Sequence, residues 1–107
     1  MIHSIRADAR GAAVAPGPNE MVRLDCSRAL FGVRVFVSCD VAATVDVYVD
    51  AGGPRSIIAT SALAAGAATS YYIPAPAGWV SVRVTTTAAG RASASVLALE
   101  PQANGYA

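Results

Sequence analysis

Residues 41–50 show the clearest period of two in the chain. One face of this segment carries Val41, Ala43, Val45, Val47 and Val49, and the opposite face carries Ala42, Thr44, Asp46, Tyr48 and Asp50. A repeat of two is the spacing at which side chains point to the same side of a β-strand, and a single apolar face is typical of a strand that covers a core. The pattern therefore predicts a half-buried strand over residues 41–50.

Three further segments repeat the alternation, and four others are rich in β-branched or aromatic residues. The alternating segments are 31–39, 78–87 and 91–99, and the weaker strands are 2–7, 21–26, 55–60 and 69–73. The predicted inward side chains are Phe31, Val33, Val35, Val37 and Cys39 in the first segment and Val80, Val82 and Val84 in the second. In the third segment the core face is left open between two sets, Ala92, Ala94, Val96 and Ala98 or Ser93, Ser95, Leu97 and Leu99.

Turn-forming residues separate these eight segments. Runs containing Gly or Pro stand at 16–19, 50–54, 65–66, 74–78, 89–90 and 104–105. Gly permits positive φ and Pro cannot donate a hydrogen bond to a sheet, so both residues interrupt strands. Ser27–Phe31 is too short for a helix, and Ser61–Ala68 favours one helical turn that Gly66 stops. The sequence predicts an all-β fold, a small antiparallel β-sandwich or jelly roll of about eight short strands.

The length of 107 residues predicts a single domain over residues 1–107. One stretch, Gly11–Glu20, is rich in alanine, contains Pro16 and Pro18, and shows no repeat. It is predicted to be an irregular arm over residues 11–20 that lies along the sandwich or is exchanged with a neighbouring copy.

The composition excludes several classes of protein. Apolar residues make up 54% of the chain and charged residues 14%, which excludes a disordered tail or a coiled coil. All eight basic residues are arginines, and the net charge of +1 lacks the positive field that nucleic acid requires. No apolar run reaches the length of a membrane span, and Arg6 and Asp8 come too early for a signal peptide. We expect a chain made in the cytoplasm, with no membrane and no nucleic-acid partner.

No residue pattern indicates a catalytic, cofactor or metal site. His3 is the single histidine, and no spacing of Ser and Asp residues supports a triad with it. Asp50 is expected to bond its own turn rather than calcium, and the glycines that follow lack the spacing of a phosphate-binding loop. Cys26 and Cys39 are predicted to be buried thiols, with a disulfide as the alternative.

Three aromatic residues, Tyr71, Tyr72 and Trp79, surround the turn at 74–78. They are candidates for sheet packing, for a subunit interface, or for a platform that binds a small ligand such as a sugar. Arginines oppose the valine rows, with aspartates Asp25 and Asp46 available to pair with them, and Arg is the charged residue that interfaces retain. The predicted interface residues are Trp79, Tyr71, Tyr72, Arg34 and Arg83, and Arg23 belongs to the same group of arginines.

The segment WVSVRVTTTAAGRASASV, residues 79–96, resembles the terminal hairpin of small β-sandwich structural proteins in tailed-phage virions, above all capsid decoration or cement proteins. The likeness covers about the last 60 residues. It implies a symmetric subunit, with a trimer favoured, that binds the major capsid protein or another virion protein and carries out no chemistry. A chain poor in charge and rich in outward alanine also leaves apolar surface for association to cover.

The leading prediction is therefore a non-enzymatic virion structural protein, most specifically a capsid decoration protein. The alternative is a carbohydrate- or surface-binding module that uses Tyr71, Tyr72 and Trp79. An enzyme that brings His3 to a Ser and an Asp is the third hypothesis.

Overall fold

The computed structural model describes residues 2–101, and every regular element in this range is a β-strand. The strands are β1 (Ile2–Val14), β2 (Gly17–Asp25), β3 (Val33–Cys39), β4 (Ala43–Asp50), β5 (Ser56–Leu63), β6 (Ala68–Ile73), β7 (Trp79–Thr86) and β8 (Gly90–Pro101). None of the described residues forms a helix long and apolar enough to cross a membrane. The turn predicted at Asn104-Gly105 lies outside the described residues.

The strands form two four-stranded antiparallel sheets. Sheet A has the order β1-β8-β3-β6, and sheet B has the order β2-β7-β4-β5. The pairing is nested, because β1 pairs with β8, β2 with β7, β3 with β6 and β4 with β5. The all-β fold and the small antiparallel β-sandwich predicted from the sequence are confirmed.

Valine rows from the two central strands of each sheet form the core between the sheets. The fully buried valines are Val33, Val35, Val37, Val45, Val47, Val80, Val82, Val84 and Val96. Each such side chain stabilises the fold by roughly 1.5–3 kcal/mol through removal from water. Of the two core faces that the sequence allowed for residues 91–99, the one that faces this core carries Ala92, Ala94, Val96 and Ala98. Phe31, predicted to point inward, is instead exposed because it lies in the turn before β3.

The prediction of an irregular arm over residues 11–20 is wrong. Gly11–Val14 completes β1, and Gly17–Glu20 begins β2. A bulge between Ala9 and Ala12, with Gly11 at a φ of +56°, shifts the alternation and hides the strand in the sequence. The Asn19 side chain then closes the turn, since its amide donates to the Ala15 carbonyl over 2.9 Å and its oxygen accepts from the Ala15 N–H over 3.1 Å.

The expected helical turn within Ser61–Ala68 is also absent. Residues 61–63 continue β5, and Leu63 is buried in the core. The chain then reverses in a tight turn in which the Ala67 N–H donates to the Ala64 carbonyl over 3.0 Å. Core contact by Leu63 outweighs the weak helical preference of the surrounding alanines.

Both cysteines are buried free thiols, as the sequence favoured. Burial raises the pKa of the Cys26 thiol to about 11, because removal from water disfavours the thiolate. Cys26 therefore behaves as a small core side chain and is not exposed for a disulfide with a partner.

Replacing Cys26 with alanine should flatten the dependence of stability on pH in alkaline solution. A pKa raised on folding stabilises the native protein below the unfolded pKa, and that stabilisation disappears as pH rises through the folded value. The free energy of unfolding of the wild type should therefore fall between about pH 9 and about pH 11, and less steeply in Cys26→Ala. Urea denaturation across this range measures both slopes, and tyrosine ionisation cancels in the difference. Parallel slopes would contradict the burial of this thiol.

Candidate interaction surfaces

The outer face of sheet B is a network of paired charges. Arg83 Nη2 lies 3.5 Å from Asp46 Oδ2, and the Thr60 hydroxyl donates to Asp46 Oδ1 over 2.8 Å. Asp46 is buried although it points away from the core, because these neighbours cover it. The cross-strand pairing of Arg83 with Asp46 that the sequence indicated is present, within the register that places the two residues opposite each other on β7 and β4.

Tyr48 lies between two guanidinium groups on the same face. The guanidinium carbon of Arg55 is 4.1 Å from the centre of the Tyr48 ring, and that of Arg83 is 4.9 Å away. Arg55 also donates to Glu20 Oε1 over 2.9 Å, which links the β5 side of the sheet to β2 at the opposite edge. The arginines therefore cover this face as well as pairing its carboxylates.

Trp79 stands at the end of the same face, beside the turn after β4. Its ring is 40% exposed and has the Arg23 guanidinium carbon 4.4 Å from its centre. Arg23 Nη2 lies 3.7 Å from Asp50 Oδ2, so its partner is Asp50 and not Asp25. The Asp50 carboxylate also accepts the Gly52 N–H over 3.2 Å, as the sequence predicted.

Asp25 is occupied by its own turn. Hydrogen bonds from the side chain and backbone of Ser27 lower the pKa of this carboxyl group below its usual value, and the Ser27 N–H donates to Asp25 Oδ1 over 3.0 Å. Asp25 therefore bonds within its own turn, while Arg23 pairs with Asp50.

The outer face of sheet A is different, because exposed aromatic and apolar side chains stand among its arginines and serines. The strand register places Arg6, Leu97, Arg34 and Tyr72 in one row across the four strands, and Asp8, Ser95, Phe36 and Ser70 in the next. Phe36 is 46% exposed and Tyr72 is 55% exposed. The Arg34 guanidinium carbon lies 5.3 Å from the centre of the Tyr72 ring. Apolar rings and a cation thus share one open surface.

A hollow of about 430 Å³ adjoins Phe36 on this face. Charged side chains of β1, Arg6, Asp8 and Arg10, contribute to its lining. The small side chains that line it include Ser38, Ala68, Ser93 and Ser95. Phe36 therefore lies beside a shallow depression in the outer face of sheet A.

A second hollow, of about 420 Å³, opens between β5 and β6, which are edge strands of sheets B and A. Its lining includes Val47, Val49, Ile58, Tyr71, Ile73, Pro74 and Pro76. Ile57 and Ile58 are 53% and 45% exposed at this edge. Neither strand carries a lysine or proline that would discourage pairing with another chain.

The five predicted interface residues lie on three different surfaces. Arg34 and Tyr72 are together on the outer face of sheet A, and Arg83 and Trp79 are on the outer face of sheet B. Tyr71 points toward the core and lines the hollow between β5 and β6. The chain passes from sheet A to sheet B between β6 and β7, so Tyr71, Tyr72 and Trp79 do not form one platform.

His3 is engaged by a core-facing acid. His3 Nε2 lies 3.0 Å from Glu100 Oε1, and the two residues are opposite each other on β1 and β8. Across residues 2–101, no group of three or more His, Cys, Asp and Glu side chains is placed to hold a metal ion. The sequence did not reveal the His3–Glu100 or Arg55–Glu20 contacts, which join residues distant in the chain.

The fold recurs in solved structures that share little sequence with this chain. The PBSX exported protein XepA has a TM-score of 0.69 at 13% identity, over 96% of this chain and 39% of that one. Bacillus endospore appendages, which form disulfide-linked pili, match with a TM-score of 0.60 at 15% identity, over 92% and 84% of the two chains. The SPBc2 prophage-derived protein YomS also has a TM-score of 0.60, at 11% identity, over 92% and 96%.

No family profile and no curated protein matches the chain in sequence. The chain spans well under half the length of XepA. The likeness to small phage β-sandwich proteins that the sequence indicated is confirmed at the level of the fold.

Replacing Gly32 with alanine should destabilise the protein and displace Tyr72. Gly32 has a φ of +102°, and a Cβ atom there would lie 2.6 Å from Tyr72 Cε1. Backbone strain and the clash together should lower the free energy of unfolding by about 2 kcal/mol or more. In a Tyr72→Ala background the cost should fall by about 1 kcal/mol, because the clash is gone.

The matched control is Gly53→Ala, since a Cβ atom at Gly53 meets no atom within 4 Å. Urea denaturation should place this control within about 0.5 kcal/mol of the wild type. Equal losses at the two glycines would contradict both the backbone strain at Gly32 and the packing of Tyr72 over it.

Proposed function

We propose that this chain is a non-enzymatic structural protein of a phage virion, most specifically a capsid decoration protein that binds the shell and stabilises it. The observation that carries the proposal is the set of large apolar side chains left exposed on a sandwich whose core is already complete. Phe36 and Tyr72 on sheet A, and Ile57 and Ile58 at the β5 edge, are all exposed. Exposed apolar patches of this kind mark surfaces that another protein covers.

The structural neighbours support a structural role outside the cell's metabolism. One is prophage-derived, one is an exported protein, and one forms pili. The nested strand pairing also agrees with a jelly roll, an architecture found in viral capsid proteins. On this proposal the chain is made in the host cytoplasm and resides in the virion, bound to the major capsid protein or another virion protein.

Self-association through the open edge is the second part of the proposal. The edge strands β5 and β6 belong to different sheets, so pairing β5 of one copy with β6 of the next is a head-to-tail contact. Contacts of that kind close into rings when the rotation allows. The resemblance to decoration proteins favours a trimer. The hollow beside Ile58 and Tyr71 would be covered in such an assembly.

The alternative of a carbohydrate-binding module lacks comparable support. It requires Tyr71, Tyr72 and Trp79 on one platform, whereas they lie on three surfaces of the sandwich.

Particles purified from the strain that encodes this chain test the virion role. If the chain decorates a capsid, mass spectrometry should find it in the particles at a fixed ratio to the major capsid protein. Deleting its gene should yield particles that break at a lower temperature, because the added contacts are lost. Complementation with the wild-type gene is the control. Particles that never contain the chain would overturn the proposal.

Placing a lysine at Ile58 should abolish self-association. A charged side chain on an edge strand opposes pairing with another edge, because association would bury it without a partner. Native mass spectrometry should show monomers for Ile58→Lys and oligomers for the wild type. Thr44→Lys, at an exposed position on the central strand β4, is the control and should remain oligomeric. A wild type that is monomeric at high concentration would contradict this part of the proposal.

A further inference from the structure

The charges of the chain are segregated between the two outer faces. The outer face of sheet A carries four arginines and two carboxylates, a net charge of +2, and the outer face of sheet B carries three arginines and four carboxylates, a net charge of −1. The first set is Arg6, Arg10, Arg34, Arg91, Asp8 and Asp40, and the second is Arg23, Arg55, Arg83, Glu20, Asp25, Asp46 and Asp50. The overall charge of +1 conceals this division.

The positive face also carries exposed apolar side chains. Arg34 lies on β3, an interior strand of sheet A, with Leu97 beside it on β8 and Tyr72 on β6. Phe36 follows two residues later on the same side of the strand and is exposed. A partner that covers these rings would also remove the Arg34 guanidinium from water.

Arg34 has no acidic partner within residues 2–101, in contrast to the arginines of sheet B. A guanidinium buried in an interface without a carboxylate is costly, whereas one paired in two hydrogen bonds anchors the contact. The chemistry of this face therefore favours an anionic group, such as a carboxylate, from whatever covers it.

We propose that the outer face of sheet A is the surface that docks on the virion shell, and that its partner is a protein surface with carboxylates set among apolar side chains. A shell carboxylate pairs with Arg34, and apolar side chains cover Phe36 and Leu97. This inference rests on the proposed virion function and names the face and the chemistry that serve it.

A single strand of nucleic acid is the competing occupant, because it also combines negative charge with surfaces that stack on aromatic rings. The protein partner is favoured by two observations. Arg6 is already paired with Asp8 at 3.4 Å, and the outward aliphatic side chains Leu97 and Leu99 offer no stacking surface.

The absence of lysine makes a direct test possible. Arg34→Lys introduces the only side-chain amine in the chain, so a carbodiimide, which joins amines to carboxylates, reports on the neighbours of residue 34. The matched control is Arg23→Lys. Arg23 stacks on Trp79 on the outer face of sheet B, just as Arg34 stacks on Tyr72 on the outer face of sheet A. Each variant is added to particles from a phage that lacks this gene and is then cross-linked.

The expected product joins residue 34 to an aspartate or glutamate of a shell protein, identified by mass spectrometry, and Arg23→Lys should give none. The affinity of the wild-type chain for the same particles should fall at least tenfold in Arg34→Glu and remain within twofold in Arg23→Glu. Circular dichroism should confirm that both variants are folded, since each substitution is on the surface.

The outcomes separate this inference from the function on which it rests. If the wild-type chain does not bind the particles, the virion function fails. If it binds but the residue 34 variants behave like the residue 23 variants, the function stands and the docking face is wrong. If the chain binds a labelled single-stranded oligonucleotide and Arg34→Glu abolishes that binding, the partner of this face is nucleic acid and the proposal is overturned.

Discussion

The contact between the valine rows of the two sheets is the interaction on which the rest of the structure depends. β3 and β8 of sheet A and β4 and β7 of sheet B supply the fully buried valines, and these are the interior strands. Close packing between interior strands makes a core without demanding large side chains from the edges. Side chains on the edge strands and the outer faces consequently contribute less to the stability of the fold. Their composition can serve contacts with other proteins.

The two outer faces use that freedom in opposite ways. Sheet B pairs its arginines with carboxylates, and Arg55 and Arg83 contact the Tyr48 ring. On sheet A, Arg34 contacts the Tyr72 ring but has no carboxylate partner within residues 2–101, and Phe36 is exposed. The two outer faces of the sandwich are therefore chemically distinct.

Sequence alternation predicts the interior strands well because each has one uninterrupted buried face, as Val33, Val35 and Val37 illustrate. It fails at the edges, where bulges after Ala9 and Glu20 shift the repeat and made residues 11–20 resemble a loop. Once alternation has assigned residues to the outer face, pairs on adjacent strands, such as Arg83 and Asp46, can be predicted. The contact of Arg55 with Glu20 spans a whole sheet and depends on strand order, which alternation does not encode.

The nested strand order has a consequence for how the chain reaches its native state. Ile2 pairs with Pro101 and Ser4 with Leu99, so β1 cannot pair until β8 has left the ribosome. Folds dominated by such distant pairings fold slowly, and their unpaired strands are exposed to aggregation in the meantime. Bulges and polar outer positions on β1 and β2 protect these strands while they wait for their partners.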